Sequence, residues 1–140
     1  MDLHRNYKYM NRKEIEQPED IKVLIDAFYA RVRTDDLLKP VFESKIPDDQ
    51  WPEHLHVLYQ FWEAVILGRT TFRNNPFPKH IGLGITSDHF DRWIKLFHET
   101  IDAYFTGIKA NDTKENSLKM RALFESKLKS IDDTGMRPLI

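Results

Sequence analysis

Apolar residues recur at intervals of three and four positions in four separate stretches of this chain. This spacing places apolar side chains along one face of an α-helix. The alternating pattern typical of half-buried β-strands occurs nowhere in the sequence. The helical stripes extend over residues 21–32, 51–66, 90–105 and 120–131. The sequence therefore predicts an all-α fold in which four main helices are joined by a long central loop.

Proline and glycine mark the expected ends of the first two helices. Pro18 suits the first turn of a helix, so the first helix is expected to begin there. Pro40 interrupts residues 37–42, which are predicted to form no more than one helical turn. An aspartate within residues 47–50 is expected to cap the second main helix, and Gly68 is expected to end it.

The last two helices also have recognisable end signals. Thr86 or Ser87 is expected to cap the third helix, and Gly107 is expected to end it. Asp112 and Glu115 have the spacing of a capping box, which predicts that the fourth helix begins beside them.

The length of 140 residues is typical of a single domain. Residues 1–17 are polar and contain no apolar run, so they are expected to form a frayed arm instead of a signal peptide or membrane span. The folded domain is expected to occupy residues 18–132, followed by a C-terminal tail at residues 133–140. We therefore expect a soluble, cytoplasmic protein, and we expect it to be a monomer.

Charge and cysteine content exclude several kinds of partner and site. The chain carries 21 basic and 22 acidic residues and has no basic block. This balance argues against nucleic acid or an anionic membrane as a partner. The absence of cysteine excludes disulfides, thiolate-bound metals and a cofactor attached through paired cysteines.

Aromatic residues are abundant for so charged a chain, at 12% of the sequence against 31% charged residues. One interpretation is that large side chains fill the core of a small helical domain. Another is that they surround a flat cofactor. Composition alone favours the first interpretation.

His80 is the most distinctive candidate for chemistry. It follows Pro76 and Pro78 in the loop predicted between residues 69 and 84, and an aromatic amphipathic helix comes next. An isolated loop histidine is most often a surface residue. The prolines restrict the backbone, however, and the following helix supplies an apolar face. A chain without cysteine can present an imidazole to a haem iron in this way, beside the flat apolar slot that haem needs.

The other candidate residues are less distinctive. His54 and His56 lie about 200° apart around a helix axis, so they cannot bind one metal ion together. Glu53 and His56 match half of a di-iron carboxylate motif, but the sequence lacks the other half. The simplest interpretation of both Tyr29 and Trp93 is that they are core residues whose polar atoms need a hydrogen-bond partner.

Short aromatic, proline-containing and glycine-containing segments follow one another in a characteristic order. They are Phe28-Tyr29, Pro40-Val41-Phe42, Trp51-Pro52-Glu53-His54, Phe61-Trp62, Leu67-Gly68, Asn75-Pro76 to His80, and Phe90-Asp91-Arg92-Trp93 with Leu96-Phe97. In this order and spacing they resemble the group III branch of the truncated haemoglobins over roughly residues 18–132. The absence of adjacent glycines is a further similarity to group III.

The resemblance implies a two-over-two helical sandwich enclosing non-covalent haem b. His80 corresponds to the proximal ligand of the iron. Tyr29, His54 and Trp93 correspond to the polar residues of the distal side, where O₂, NO or CO would bind.

The resemblance also implies which residues contact the haem itself. Phe42 corresponds to the phenylalanine that packs against the haem face, and Leu58 and Phe97 correspond to apolar walls. The family often carries a tyrosine and a glycine where this chain has residues 71–74. Because the loop differs there, Lys79 and Arg73 are the candidates for contacts with the haem propionates.

Three functions are compatible with these features. Three potential hydrogen-bond donors on the distal side favour holding and activating a diatomic ligand over releasing it rapidly. The first function is a globin that binds such gases. The second is a haem enzyme for NO dioxygenation or peroxide chemistry, which would need an external reductase because the chain has no flavin or nicotinamide motif. The third is a haem-free helical interaction module whose aromatic residues only fill the core.

Overall fold

A computed structural model of the protein describes residues 12–68 and 84–134. The helices in these ranges are α1 (Pro18–Val32), α2 (Lys39–Glu43), α3 (Trp51–Leu67), α4 (Ser87–Tyr104) and α5 (Ile108–Thr134), with a 3₁₀ turn at Asp48–Gln50. The described ranges contain no strand, and Lys13 and Phe105 form an isolated parallel bridge. The prediction of an all-α fold with four main helices is confirmed.

The four long helices pack as two layers of two. Helix α1 packs against α3 and α4, and α5 packs against α4 and α3. The apolar stripe of α1 faces inward, so that Leu24, Ile25 and Phe28 are completely buried. Phe97 of α4 lies 4.9 Å from both the Phe28 ring and the Trp62 ring of α3, measured between centroids. Each such ring pair adds about 0.5–1.5 kcal/mol to the stabilisation from burial.

Several predicted helix ends are confirmed. Helix α1 begins at Pro18, and the short helix α2 contains Pro40 near its start. Gly68 follows α3 with a φ of 69°, a left-handed conformation that glycine adopts without strain. Thr86 precedes α4, and its backbone N–H donates to Nδ1 of His89 at 3.0 Å.

Two predicted ends are wrong. No aspartate caps α3, because Asp48 lies in the 3₁₀ turn and Gln50 takes the position before the helix. Helix α4 ends at Tyr104 and not at Gly107. The reason is that Phe105 adopts an extended conformation, which buries its ring to 3% exposure and pairs its backbone with Lys13.

The predicted capping box of α5 is also wrong. Asp112 and Glu115 lie inside the helix, which begins at Ile108. The Glu14 carboxylate instead accepts the backbone N–H groups of Lys109 and Ala110, both at 3.0 Å. An acceptor more than ninety positions away in sequence satisfies the helix start, so no local pattern could reveal it.

The segment before α1 belongs to the packed structure. Ile15 is completely buried, and the N–H of Thr106 donates to the carbonyl of Lys13 at 2.8 Å. The prediction of a frayed arm is therefore wrong for residues 12–17. The segment is mostly polar, but its one buried side chain, Ile15, belongs to the core. Residues 1–11 and 135–140 lie outside the described ranges, and the predicted domain limits stay predictions.

The described helices also bear on membrane insertion. None of those in residues 12–68 and 84–134 is both long enough and apolar enough to cross a bilayer.

We expect Glu14→Ala to lower the free energy of unfolding by about 1–2 kcal/mol at neutral pH, the usual effect of removing a helix cap. Burial alone would raise the pKa of Glu14, but hydrogen bonds from backbone N–H groups lower it below its ordinary value. Such a carboxylate stabilises the fold above its unfolded pKa, and the contribution is lost as pH falls through the folded pKa. Urea denaturation over a pH series measures the effect.

Glu16→Ala is the matched control, because the Glu16 side chain is 62% exposed and two residues away. It should change stability little at any pH. If the deficit of Glu14→Ala persists undiminished in acid, the ionised carboxylate is not its cause.

Candidate functional site

Three helices bring together the residues predicted to form the distal side. Tyr29 lies on α1 and is 5% exposed, while Trp93 on α4 and His54 on α3 are half-buried. The Phe28 ring packs edge to face against both Tyr29, at 4.8 Å, and Trp93, at 5.0 Å between centroids. The His54 ring lies 6.4 Å from the Tyr29 ring, edge to face. The three predicted residues are therefore neighbours in space although they are far apart in sequence.

The Trp93 indole acts on the Tyr29 hydroxyl. Burial raises the pKa of the Tyr29 phenol far above its ordinary value, and the indole N–H, which can only donate a hydrogen bond, partly opposes this. Tyr29 is therefore neutral across the usual pH range, and its O–H group remains a hydrogen-bond donor.

Two aromatic side chains lie on the other side of Tyr29. The ring of Phe42, on α2, and the ring of Trp51, at the start of α3, are each 5.9 Å from the Tyr29 ring. Trp51 also lies 5.5 Å from the His54 ring with the planes at 89°. No role was predicted for Trp51, although its position three residues before His54 places both side chains on one face of α3.

A partly buried ion pair fixes the turn between α1 and α2, the short helix that contains Phe42. Arg92 donates to the Asp35 carboxylate at 2.6 Å, and the N–H of Leu38 donates to it at 3.0 Å. Burial alone would raise the pKa of Asp35. The hydrogen bonds from Arg92 and from backbone N–H groups outweigh this effect and lower the pKa below its ordinary value. The pair joins the turn before α2 to α4, where Arg92 immediately precedes Trp93. No periodic pattern in the sequence relates Asp35, in the turn between α1 and α2, to Arg92 on α4, so this pair could not be predicted.

One face of α3 carries an apolar surface that the protein covers only in part. His54, Leu58, Phe61 and Val65 are spaced by four, three and four residues, so they lie on one face of the helix. All four side chains are half-buried. A cavity of about 470 Å³ lies beside the second half of this face. It lies between α3 and α5 and is lined by Phe61, Val65, Asn116, Lys119, Met120 and Leu123.

The two predicted apolar walls occupy different environments. Leu58 lies on the half-buried face of α3, next to the cavity-lining residue Phe61 in the helical stripe. Phe97 is completely buried, with its ring stacked 4.8 Å from that of Trp93. Phe97 therefore packs against the Trp93 ring from within the core.

The remaining predicted site residues are His80, Lys79 and Arg73. They fall in residues 69–83, outside the described ranges. Iron ligation by His80 and propionate contacts by Lys79 and Arg73 therefore stay predictions.

Comparisons with known proteins agree on one family. The sequence profile described as bacterial-like globin matches residues 13–128. A group 3 truncated haemoglobin of Campylobacter jejuni is 32% identical over 107 residues, which span 74% of this chain and 80% of that protein. The crystal structure of a group III truncated haemoglobin from Campylobacter jejuni superimposes with a TM-score of 0.77 at 28% identity. That match covers 84% of this chain and 94% of the other. This chain belongs to the bacterial-like globin family and is a truncated haemoglobin of group III.

Proposed function

We propose that this globin binds haem b non-covalently through His80 and binds O₂, NO or CO on the opposite side, beneath Tyr29, His54 and Trp93. Membership of the globin family implies haem and diatomic gases as ligands. The observation that carries the finer proposal is the convergence of these three polar side chains from α1, α3 and α4. The three side chains meet at one end of the half-buried apolar face of α3.

The described residues fit a flat, largely apolar group. The half-buried face of α3 provides Leu58, Phe61 and Val65, and the adjoining cavity of about 470 Å³ falls within the usual size of cofactor pockets, roughly 300–1,000 Å³. His54 lies at one end of the same face, beside the buried hydroxyl of Tyr29. When bound, haem would supply an iron centre for gas binding and redox chemistry. The protein would supply the apolar contacts and the polar side chains.

The neutral, buried Tyr29 hydroxyl suits a site that retains its ligand. A diatomic ligand such as O₂ carries partial negative charge there, so a donor aimed at it slows its release. Each hydrogen bond to a charged group is worth about 1.5–3 kcal/mol, which corresponds to a roughly ten- to hundredfold slower release. Donation from the Trp93 N–H to the Tyr29 oxygen would polarise the Tyr29 hydroxyl and strengthen it as a donor.

The same arrangement favours a second candidate function, redox chemistry on NO or a peroxide. Strong donors in a buried site stabilise charge that develops on the ligand, which promotes activation more than simple storage. Such turnover needs electrons from a separate reductase. Catalytic consumption of NO by the purified protein with a reductase and O₂ would support this function. Stoichiometric consumption alone would leave gas binding as the function.

Purified protein reconstituted with haem should show a strong Soret absorption band, and His80→Ala should lose haem or hold it loosely. The reason is that the imidazole is the proposed iron ligand. Added imidazole should restore the absorption spectrum of His80→Ala. His56→Ala is the matched control, because His56 is exposed on α3 and should leave the spectrum unchanged.

Wild-type protein without a Soret band would instead favour the haem-free interaction module. An unchanged five-coordinate spectrum in His80→Ala would show that another residue ligates the iron.

Tyr29→Phe should accelerate O₂ dissociation roughly ten- to hundredfold, since it removes the hydroxyl and keeps the ring. CO depends less on hydrogen bonding, so its dissociation should change much less. Stopped-flow measurements of both gases make the comparison. Equal acceleration of both gases would indicate altered access to the site and would contradict a hydrogen-bonding role.

Trp93→Phe should also change O₂ release, because it removes the N–H that acts on the Tyr29 hydroxyl while keeping most of the apolar volume. Combined with Tyr29→Phe, its effect should be clearly less than additive, since Trp93 acts on the ligand partly through the Tyr29 hydroxyl. Trp62→Phe is the matched control, because Trp62 is 1% exposed and its ring stacks at 6.4 Å on that of Trp93. If Trp62→Phe changes O₂ release as much as Trp93→Phe does, packing and not the N–H is responsible.

A further inference from the structure

We propose that Trp51 is a positioning residue that fixes the orientation of the His54 ring in the distal site, and that Arg33 holds Trp51 in place from the solvent side. The inference rests on the proposed function, since it assigns Trp51 and Arg33 an effect on a ligand bound beside His54.

The geometry around His54 restricts how its ring can turn. The Trp51 and Tyr29 rings lie 5.5 Å and 6.4 Å from the His54 ring, and both are perpendicular to it at 89°. Edge-to-face packing is a favoured arrangement of aromatic rings. Rotation of the imidazole about its second side-chain torsion would break both contacts together. An imidazole packed edge to face against these two neighbouring rings therefore directs its nitrogen atoms along a narrow range of directions.

Trp51 is itself fixed on several sides. It is 3% exposed, and its ring lies 5.9 Å from Tyr29 and 6.1 Å from Phe42. It thus contacts two of the three distal residues, His54 and Tyr29. Because Tyr29 and Phe42 fix the Trp51 ring, that ring is a rigid support for the His54 imidazole.

Arg33 lies over the face of the Trp51 ring. Its guanidinium lies 4.5 Å from the centroid of the Trp51 ring, which is within the range of a cation–π interaction. Its ion pair with Asp48, at 3.5 Å, involves side chains that are 42% and 91% exposed, so it adds little stability. Arg33 follows the last residue of α1, and Trp51 is the first residue of α3. The contact therefore joins the ends of the two helices that carry Tyr29 and His54.

The infrared stretching band of CO bound to the reduced haem protein tests this inference, because its frequency and width report the direction of polar groups at the ligand. Wild type should give one narrow band. Trp51→Leu should broaden or split it and accelerate O₂ release roughly fivefold, part of the effect of one lost hydrogen bond. Trp51→Phe should keep the narrow band, since a phenyl ring preserves the edge-to-face contact. Arg33→Met should broaden the band to a smaller extent.

Two controls separate positioning from simple destabilisation. Phe105→Leu also removes a buried aromatic ring, at 3% exposure but at the far end of α4, and should lower the melting temperature without changing the CO band. Combining Trp51→Leu with His54→Leu should give the same band as His54→Leu alone, because Trp51 acts through His54.

The inference is overturned if Trp51→Leu leaves the band unchanged, or if its effect survives in the His54→Leu background. Arg33→Met replaces an exposed side chain, so it keeps the test decisive if Trp51→Leu does not fold, and an unchanged band in that variant overturns the inference as well. A wild-type protein that binds no haem would instead refute the proposed function itself.

Discussion

The packing of Phe28 against three other aromatic rings is the interaction on which the rest of the structure depends. Its ring centroid lies 4.8 Å from Tyr29, 5.0 Å from Trp93 and 4.9 Å from Phe97, in each case edge to face. These contacts join α1 to α4, and Trp62 extends them to α3. Closely packed interiors transmit small displacements, so a shift of any one helix would separate the polar groups that the three helices bring together.

Burial of polar atoms at this junction links stability to function. The Tyr29 hydroxyl lies in the protein interior, where an unpaired group costs roughly 1–3 kcal/mol. Donation from the half-buried Trp93 indole to the hydroxyl oxygen would offset part of that cost and still leave the Tyr29 O–H proton for another acceptor. For Tyr29 and Trp93 the roles of core residue and candidate ligand-binding residue are therefore compatible.

Two carboxylates make contacts between segments that are far apart in sequence. The Glu14 carboxylate satisfies the first N–H groups of α5, and the Asp35 carboxylate binds Arg92 of α4. Hydrogen bonding to the ionised form lowers the pKa of both carboxyl groups despite burial, which by itself raises it. Each carboxylate joins segments that lie far apart in the chain, and neither could be assigned from its neighbours in sequence.

The sequence by itself determined the helical class, the number of long helices and the helix limits at Pro18, Gly68 and Thr86. Hydrophobic periodicity and the conformational preferences of Pro18 and Gly68 are local properties, which act within a few residues whatever the rest of the chain does. The order of the aromatic segments was also enough to indicate the family, which the comparisons confirmed.

Tertiary structure alone decided how the side chains meet. The cap of α5 by Glu14, the burial of Ile15 and the contact of Trp51 with His54 depend on where the helices and the N-terminal segment come to lie. The same holds for the action of the Trp93 indole on the Tyr29 hydroxyl. Local rules failed at Asp112 because a distant carboxylate satisfies the same backbone groups. Periodicity shows which face of a helix is buried, but it contains no information about which residue of another helix that face will contact.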